Sequence, residues 1–134
     1  MSKDPLAALT LPPFDQWFMG IAHEIEMVNG ILAEDISSNP AQLYQQLSKA
    51  NAFHARMSEL LAEATSHLLQ AEYQMLLSAA PDLSVKEKEI GIKAKTANER
   101  RVRDILDGLT RSLNLRAFSL MNSRKQSIAE KSDF

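Results

Sequence analysis

Residues 40–79 read PAQLYQQLSKANAFHARMSELLAEATSHLLQAEYQMLLSA, and the order of apolar side chains in this stretch decides the fold. Leu43, Leu47, Ala50, His54, Met57, Leu61, Ala64, Leu68, Ala71 and Met75 follow one another at alternating steps of four and three. That is the heptad spacing of a helix that packs along its length on another helix. The series Leu43, Ala50, Met57, Ala64 and Ala71 includes the small residues, whereas Leu47, His54, Leu61, Leu68 and Met75 are all large, so a neighbouring helix can come close. At about 1.5 Å per residue the helix is roughly 60 Å long, more than the diameter of a compact domain of this size. It requires a second long helix beside it.

The segments on either side supply partners. After Pro81, Ser84 and Glu87 have the spacing of a capping box, and a third helix is predicted over 84–130, with Gly91 the place where it could break. Val102, Leu106, Leu109, Leu113, Ala117 and Leu120 form its apolar stripe. Lys93, Arg100, Arg103, Arg111 and Lys125 fall roughly opposite, with Phe118 among them. On the N-terminal side a helix is predicted over 13–36, with Pro13 in its first turn. Phe14, Trp17, Ile21, Ile25, Val28 and Leu32 share one face of it, and Asp15, Glu24, Glu26, Glu34 and Asp35 make the other side acidic. Ser37, Ser38 and Asn39 before Pro40 stop this helix and cap the next. Residues 1–12 lack a helical period and read as a tail.

The chain has 134 residues, 45% hydrophobic and only 6% aromatic, with four glycines, five prolines and no cysteine. Such a composition disfavours a turn-rich β-sandwich, a disulfide scaffold and any thiolate metal site. The expected fold is therefore a single all-α domain, a long antiparallel helical hairpin with a shorter N-terminal helix. Because the short helix cannot cover the whole seam, self-association is expected through Leu43, Leu47, Met57, Leu61, Leu68, Leu106, Leu109, Leu113 and Leu120.

Charge divides the chain unevenly. Residues 1–82 carry three basic and ten acidic side chains, a net of −7, whereas 83–134 carry twelve and seven, a net of +5; together they give the −2 of the whole chain. A solvated helix surface accounts for such runs; the alternative is that the basic part meets phosphates. Candidate nucleic-acid contacts, by charge and placement, are Lys93, Lys95, Arg100, Arg101, Arg103, Arg111, Arg124 and Lys125. Arg116 and Arg124 lie nearer the apolar stripe, where a structural role competes. Enzyme signatures are missing. His23, His54 and His67 form no HExxH or Glu-x-x-His pair, and no Gly-rich phosphate loop or nucleophile elbow occurs, so neither catalysis nor a cofactor or metal is expected. Glu63 and His67, four apart, read as a surface pair or a satisfied seam histidine, and His54 as a polar group that sets heptad register. No stretch is apolar enough to span a membrane, and Asp4, Pro12 and Pro13 spoil a secretory signal, so a cytoplasmic protein is expected, in the host cytoplasm if phage-encoded.

The run QLYQQLSKANAFHARMSELLAEATSHLLQAEYQMLL, a proline-terminated linker and then KAKTANERRVRDILDGLTRSLNLRAFSLMNSRKQ resemble the UvsY-like recombination mediators of bacteriophages. The resemblance covers about residues 41–126 and lies in length, helix order and residue flavour. It implies a homo-oligomeric, ring-like accessory protein that binds single-stranded DNA and helps load a strand-exchange recombinase onto DNA covered by single-strand-binding protein. The acidic first 82 residues depart from that pattern and are suited to face a protein partner. A second expectation, from a different class, is a helical scaffold or adaptor acting only through protein contacts, a phage structural or anti-defence factor.

Overall fold

A computed structural model describes residues 11–132, and the side chains of 11–126. Four helices lie in that range: α1 (Phe14–Ala33), α2 (Pro40–Ser78), α3 (Val85–Lys95) and α4 (Ala97–Ser132). No strand occurs among the described residues. The tail expected over 1–12 falls, apart from Leu11 and Pro12, outside them.

Every heptad position of α2 from Leu43 to Met75 is buried or half-buried. Residues late in α2 meet residues early in α4, where Glu72 pairs with Arg100 at 2.7 Å. Residues early in α2 meet residues late in α4, where the Arg124 guanidinium lies 5.6 Å from the centre of the Tyr44 ring. The register set by these two contacts puts Leu106 across from Ala64 and Leu120 across from Ala50. The small members of the α2 seam therefore face leucines on α4, and both leucines are fully buried.

Helix α1 packs on the flank of α2 next to the seam. Phe53, Leu60 and His67, each seven residues from the next, carry that flank; Leu60 and His67 are buried and Phe53 is half-buried. Trp17, Ile21, Val28 and Ile31 join Met57, Leu60, Leu106 and Leu113 in one core cluster. The Trp17 indole donates to Glu63 at 3.1 Å. Further along, Arg56 donates through two nitrogens to both oxygens of Glu24, at 2.7 and 3.1 Å. This hydrogen bonding holds the Glu24 carboxyl below its ordinary value, although the half-exposed pair adds at most about 1 kcal/mol.

The eight leucines and one methionine expected to join copies of the chain are spent inside one chain. Leu43, Met57, Leu68, Leu106, Leu109, Leu113 and Leu120 are buried and Leu47 and Leu61 half-buried. The expectation of exposed edges fails because α1 and α4 cover adjoining faces of α2, so the seam has no open side along most of its length.

Helix ends also differ from the sequence expectation, for identifiable reasons. Pro13 is the N-cap of α1, one residue before its first turn. The helix stops at Ala33 because other elements take the next carbonyls: Gln46 Nε2 donates to Asp35 O at 2.8 Å, and Arg116 donates to Glu34 O. Gln46 Oε1 also accepts from Ser37 N, so one side chain holds both sides of the turn. Asn39 accepts from Ala41 N and Gln42 N, capping α2, with Pro40 behind it. The helix expected over 84–130 is two helices, broken at Thr96 rather than near Gly91. Thr96 is fully buried, and its hydroxyl donates to Ile92 O at 2.7 Å while its backbone leaves the helical region, which bends the chain. Gly91 lies inside α3 with ordinary backbone angles, and nothing approaches it closely enough to require a glycine.

His67 is the buried histidine of this core. Its ring lies 4.8 Å from that of Trp17 and 5.7 Å from that of Phe14, and its Nε2 has no hydrogen-bond partner. Burial lowers its pKa; Glu63 on α2 and Glu99 on α4 oppose that shift. The unfolded chain therefore takes up a proton that the folded chain resists, and stability is complete above about pH 6.5 and falls as pH drops through the folded value. Denaturant midpoints are expected to be lower at about pH 5.5 than at about pH 7.5, and His67→Gln should remove most of that difference. A His67→Gln variant with an unchanged pH dependence would contradict the assignment.

Candidate nucleic-acid interface

The eight cations predicted from the sequence do not form one surface. Lys93, Lys95, Arg100, Arg101 and Arg103 lie where α3 meets α4, among acids. Arg100 is committed to Glu72 and also donates to Thr96, and Arg103 pairs with its neighbour Asp104 at 3.1 Å. Arg100 is only partly exposed and ties α4 to α2, so it acts as a packing residue. Lys93, Lys95 and Arg101 are exposed, with no ion pair among the described residues. Arg111 pairs with Asp107 one turn back but remains well exposed, a pairing worth little in water. Arg124 and Lys125, near the far end of α4, are exposed.

That far end has a property the linear charge division hid. No Asp or Glu occurs between Asp35 and Glu59, and none between Asp107 and Glu130. The fold lays these two stretches against each other through Leu43, Ala50, Ala117 and Leu120. The half of the α2 and α4 pair that results carries Lys49, Arg56, Arg111, Arg116, Arg124 and Lys125 without a single carboxylate of its own. Acids border it at Glu59 and Asp107, which pair with Arg56 and Arg111, and α1 with the turn after it holds Asp15, Glu24, Glu26, Glu34 and Asp35 and no Lys or Arg. Helix α1 occupies the flank of α2 marked by Arg56 and Phe53, whereas Tyr44 lies on the other side of the seam, as steps of 100° along the helix show. The flank bearing Tyr44 is thus shielded from the acidic helix.

Two aromatic rings stand on this surface. Tyr44 is 58% exposed although Arg124 covers one side of it, and Phe118 is 63% exposed on the outer face of α4. Phe118, Met121 and Arg124 follow at steps of three, so they wind about 120° round the helix from its outer face to the edge of the seam. Arg111, Phe118 and Lys125 are each seven apart, placing a cation about 10 Å from the ring in both directions along one face. Arg116, by contrast, is turned inward to Glu34 O and is structural. Sequence reasoning had named Arg111, Arg124 and Lys125 but passed over Tyr44. The missed signal was the spacing of the acids rather than the balance of charge.

At the opposite end, Leu69, Tyr73, Leu76 and Leu77 form an exposed apolar stripe on α2, and Leu76 shares a groove with Val85 and Ile92 of α3. Among the described residues, no group of three or more His, Asp or Glu side chains could hold a metal ion, and no helix is long and apolar enough to cross a membrane. No protein-family model matches the chain, and no curated protein or solved structure is detectably similar to it.

Proposed function

We propose that this chain is a non-enzymatic protein that binds single-stranded DNA through the carboxylate-free half of its α2 and α4 helices. The observation that supports the reading is the meeting of two acid-free stretches around Arg111, Arg124 and Lys125, with Tyr44 and Phe118 beside them. Exposed cations here, Arg111 among them despite its weak surface pair with Asp107, attract phosphates and displace their counterions, giving an affinity that depends on salt and little on sequence. The resemblance of residues 41–126 to the UvsY-like mediators supplies the biological setting: an accessory factor in the cytoplasm that helps load a recombinase onto DNA covered by single-strand-binding protein. In this reading α2 and α4 are the two arms of an antiparallel hairpin, and several copies, in a ring, multiply a modest patch into a useful grip.

A second reading has its own observation. The exposed stripe Leu69, Tyr73, Leu76 and Leu77 suits a protein contact, as a scaffold or adaptor would need. One titration separates the two. With three cations engaged, log affinity for an oligothymidylate should fall with log salt at a slope of about −2, a loss of roughly 20-fold between about 50 and 200 mM. An adaptor acting only through protein contacts retains no oligonucleotide at either concentration.

A further inference from the structure

We infer that Tyr44 and Phe118 are stacking platforms for unpaired bases, flanked by Arg111, Arg124 and Lys125 as phosphate contacts. The inference rests on the proposed function and adds to it what the surface reads: faces of bases, which a duplex conceals and a single strand offers.

Two groups of exposed apolar side chains on the described surface bear on the choice of partner. The stripe of Leu69, Leu76 and Leu77 is mainly aliphatic and lies beside Glu72 and Glu89. At the carboxylate-free end the two exposed rings stand among cations, neutral polar groups such as Asn114 and Asn122, and the exposed Leu115 and Met121. A protein partner gains by burying an apolar stripe, and the first group fits that. Aromatic rings set among cations fit a chain that alternates planar bases with negative phosphates.

The geometry agrees. Tyr44 presents one side of its ring to Arg124 and keeps most of its surface open, so a base can lie on the ring while the guanidinium reaches the adjoining phosphate. Phe118 has no aromatic neighbour among the described residues, and no packing role holds it outward. Met121, 43% exposed, lies between Phe118 and Arg124 along the winding path on α4, and Arg124 in turn lies against the Tyr44 ring.

The experiment uses the full chain and two oligomers of equal length, oligothymidylate and the same backbone with abasic sites. Tyr44→Ala and Phe118→Ala should each weaken oligothymidylate binding by roughly 5- to 100-fold, the range for losing one stacked base, with the salt slope unchanged. The abasic oligomer should bind the unaltered chain no better than oligothymidylate binds the double variant. Phe118→Trp should keep the affinity, and its exposed indole should be quenched by oligothymidylate but not by the abasic oligomer. Both rings are exposed, so circular dichroism of the alanine variants should match the parent chain. Equal affinity for the two oligomers, or alanine variants that bind like the parent, overturns the stacking assignment while leaving salt-dependent binding in place. If the parent chain binds neither oligomer at low salt, the proposed function fails and the inference with it.

Discussion

Leu106→Ala should cost roughly 3–5 kcal/mol of folding free energy, the upper part of the range for deleting a buried leucine. Leu106 is fully buried and belongs to the cluster that joins α1, α2 and α4. The register of the α2 and α4 pair places Ala64 opposite it, so the substitution sets one small side chain against another. No neighbour can swing into the gap, because Trp17 is fixed by its bond to Glu63 and Leu60 and Leu113 are themselves fully buried. Since a domain of this size has on the order of 5–15 kcal/mol in total, the loss takes away a large share of its stability. Guanidinium unfolding followed by circular dichroism measures the loss. A cost under about 1 kcal/mol would show that α4 is not seated on the α2 seam in this register.

Reversing both Arg124 and Lys125 to Glu should remove oligonucleotide binding at about 150 mM salt, the largest functional effect expected of any substitution here. Two phosphate contacts disappear, which alone flattens the salt slope by about 1.4 for a single strand. In addition two negative charges enter a surface that has none of its own, so the change is from attraction to repulsion. Among the described residues neither has an ion pair to lose and both are exposed, so apart from the Arg124 contact with the Tyr44 ring unfolding should be little affected. The paired control is Lys93 and Arg101 to Glu at the other end, where Asp104 and Glu99 already stand nearby. That control should retain most binding. If it loses binding and the Arg124 and Lys125 variant does not, the interface lies at the junction of α3 and α4.

The heptad in α2 was legible because periodicity is a property of one helix, and each of its positions is buried or half-buried. What covers a stripe depends on a second element, and there the reading went astray. Leu60 and His67 lie one position off the seam, on the flank that α1 occupies; the sequence left His67 as a surface pair or a seam histidine and did not single out Leu60. The same omission turned the core leucines into presumed contacts between copies. At Thr96 the bend comes from a side-chain hydroxyl that bonds the preceding turn, whereas a search for backbone freedom pointed to Gly91. Of the proposed site, Arg111, Arg124 and Lys125 could be chosen by charge, but Tyr44 lies 74 residues before Phe118 and joins it only when the chain doubles back.

Placing all five acids of α1 and its following turn behind the seam, with the unshielded cations in front, gives the molecule a permanent dipole across its width. A rod turns about its long axis faster than in any other direction. If the proposed function holds, an approaching polyanion rolls the protein into the right orientation before touching it, using the rotation that meets least friction. The acidic helix then serves as a keel, and adding salt slows productive encounters as well as loosening the complex once formed.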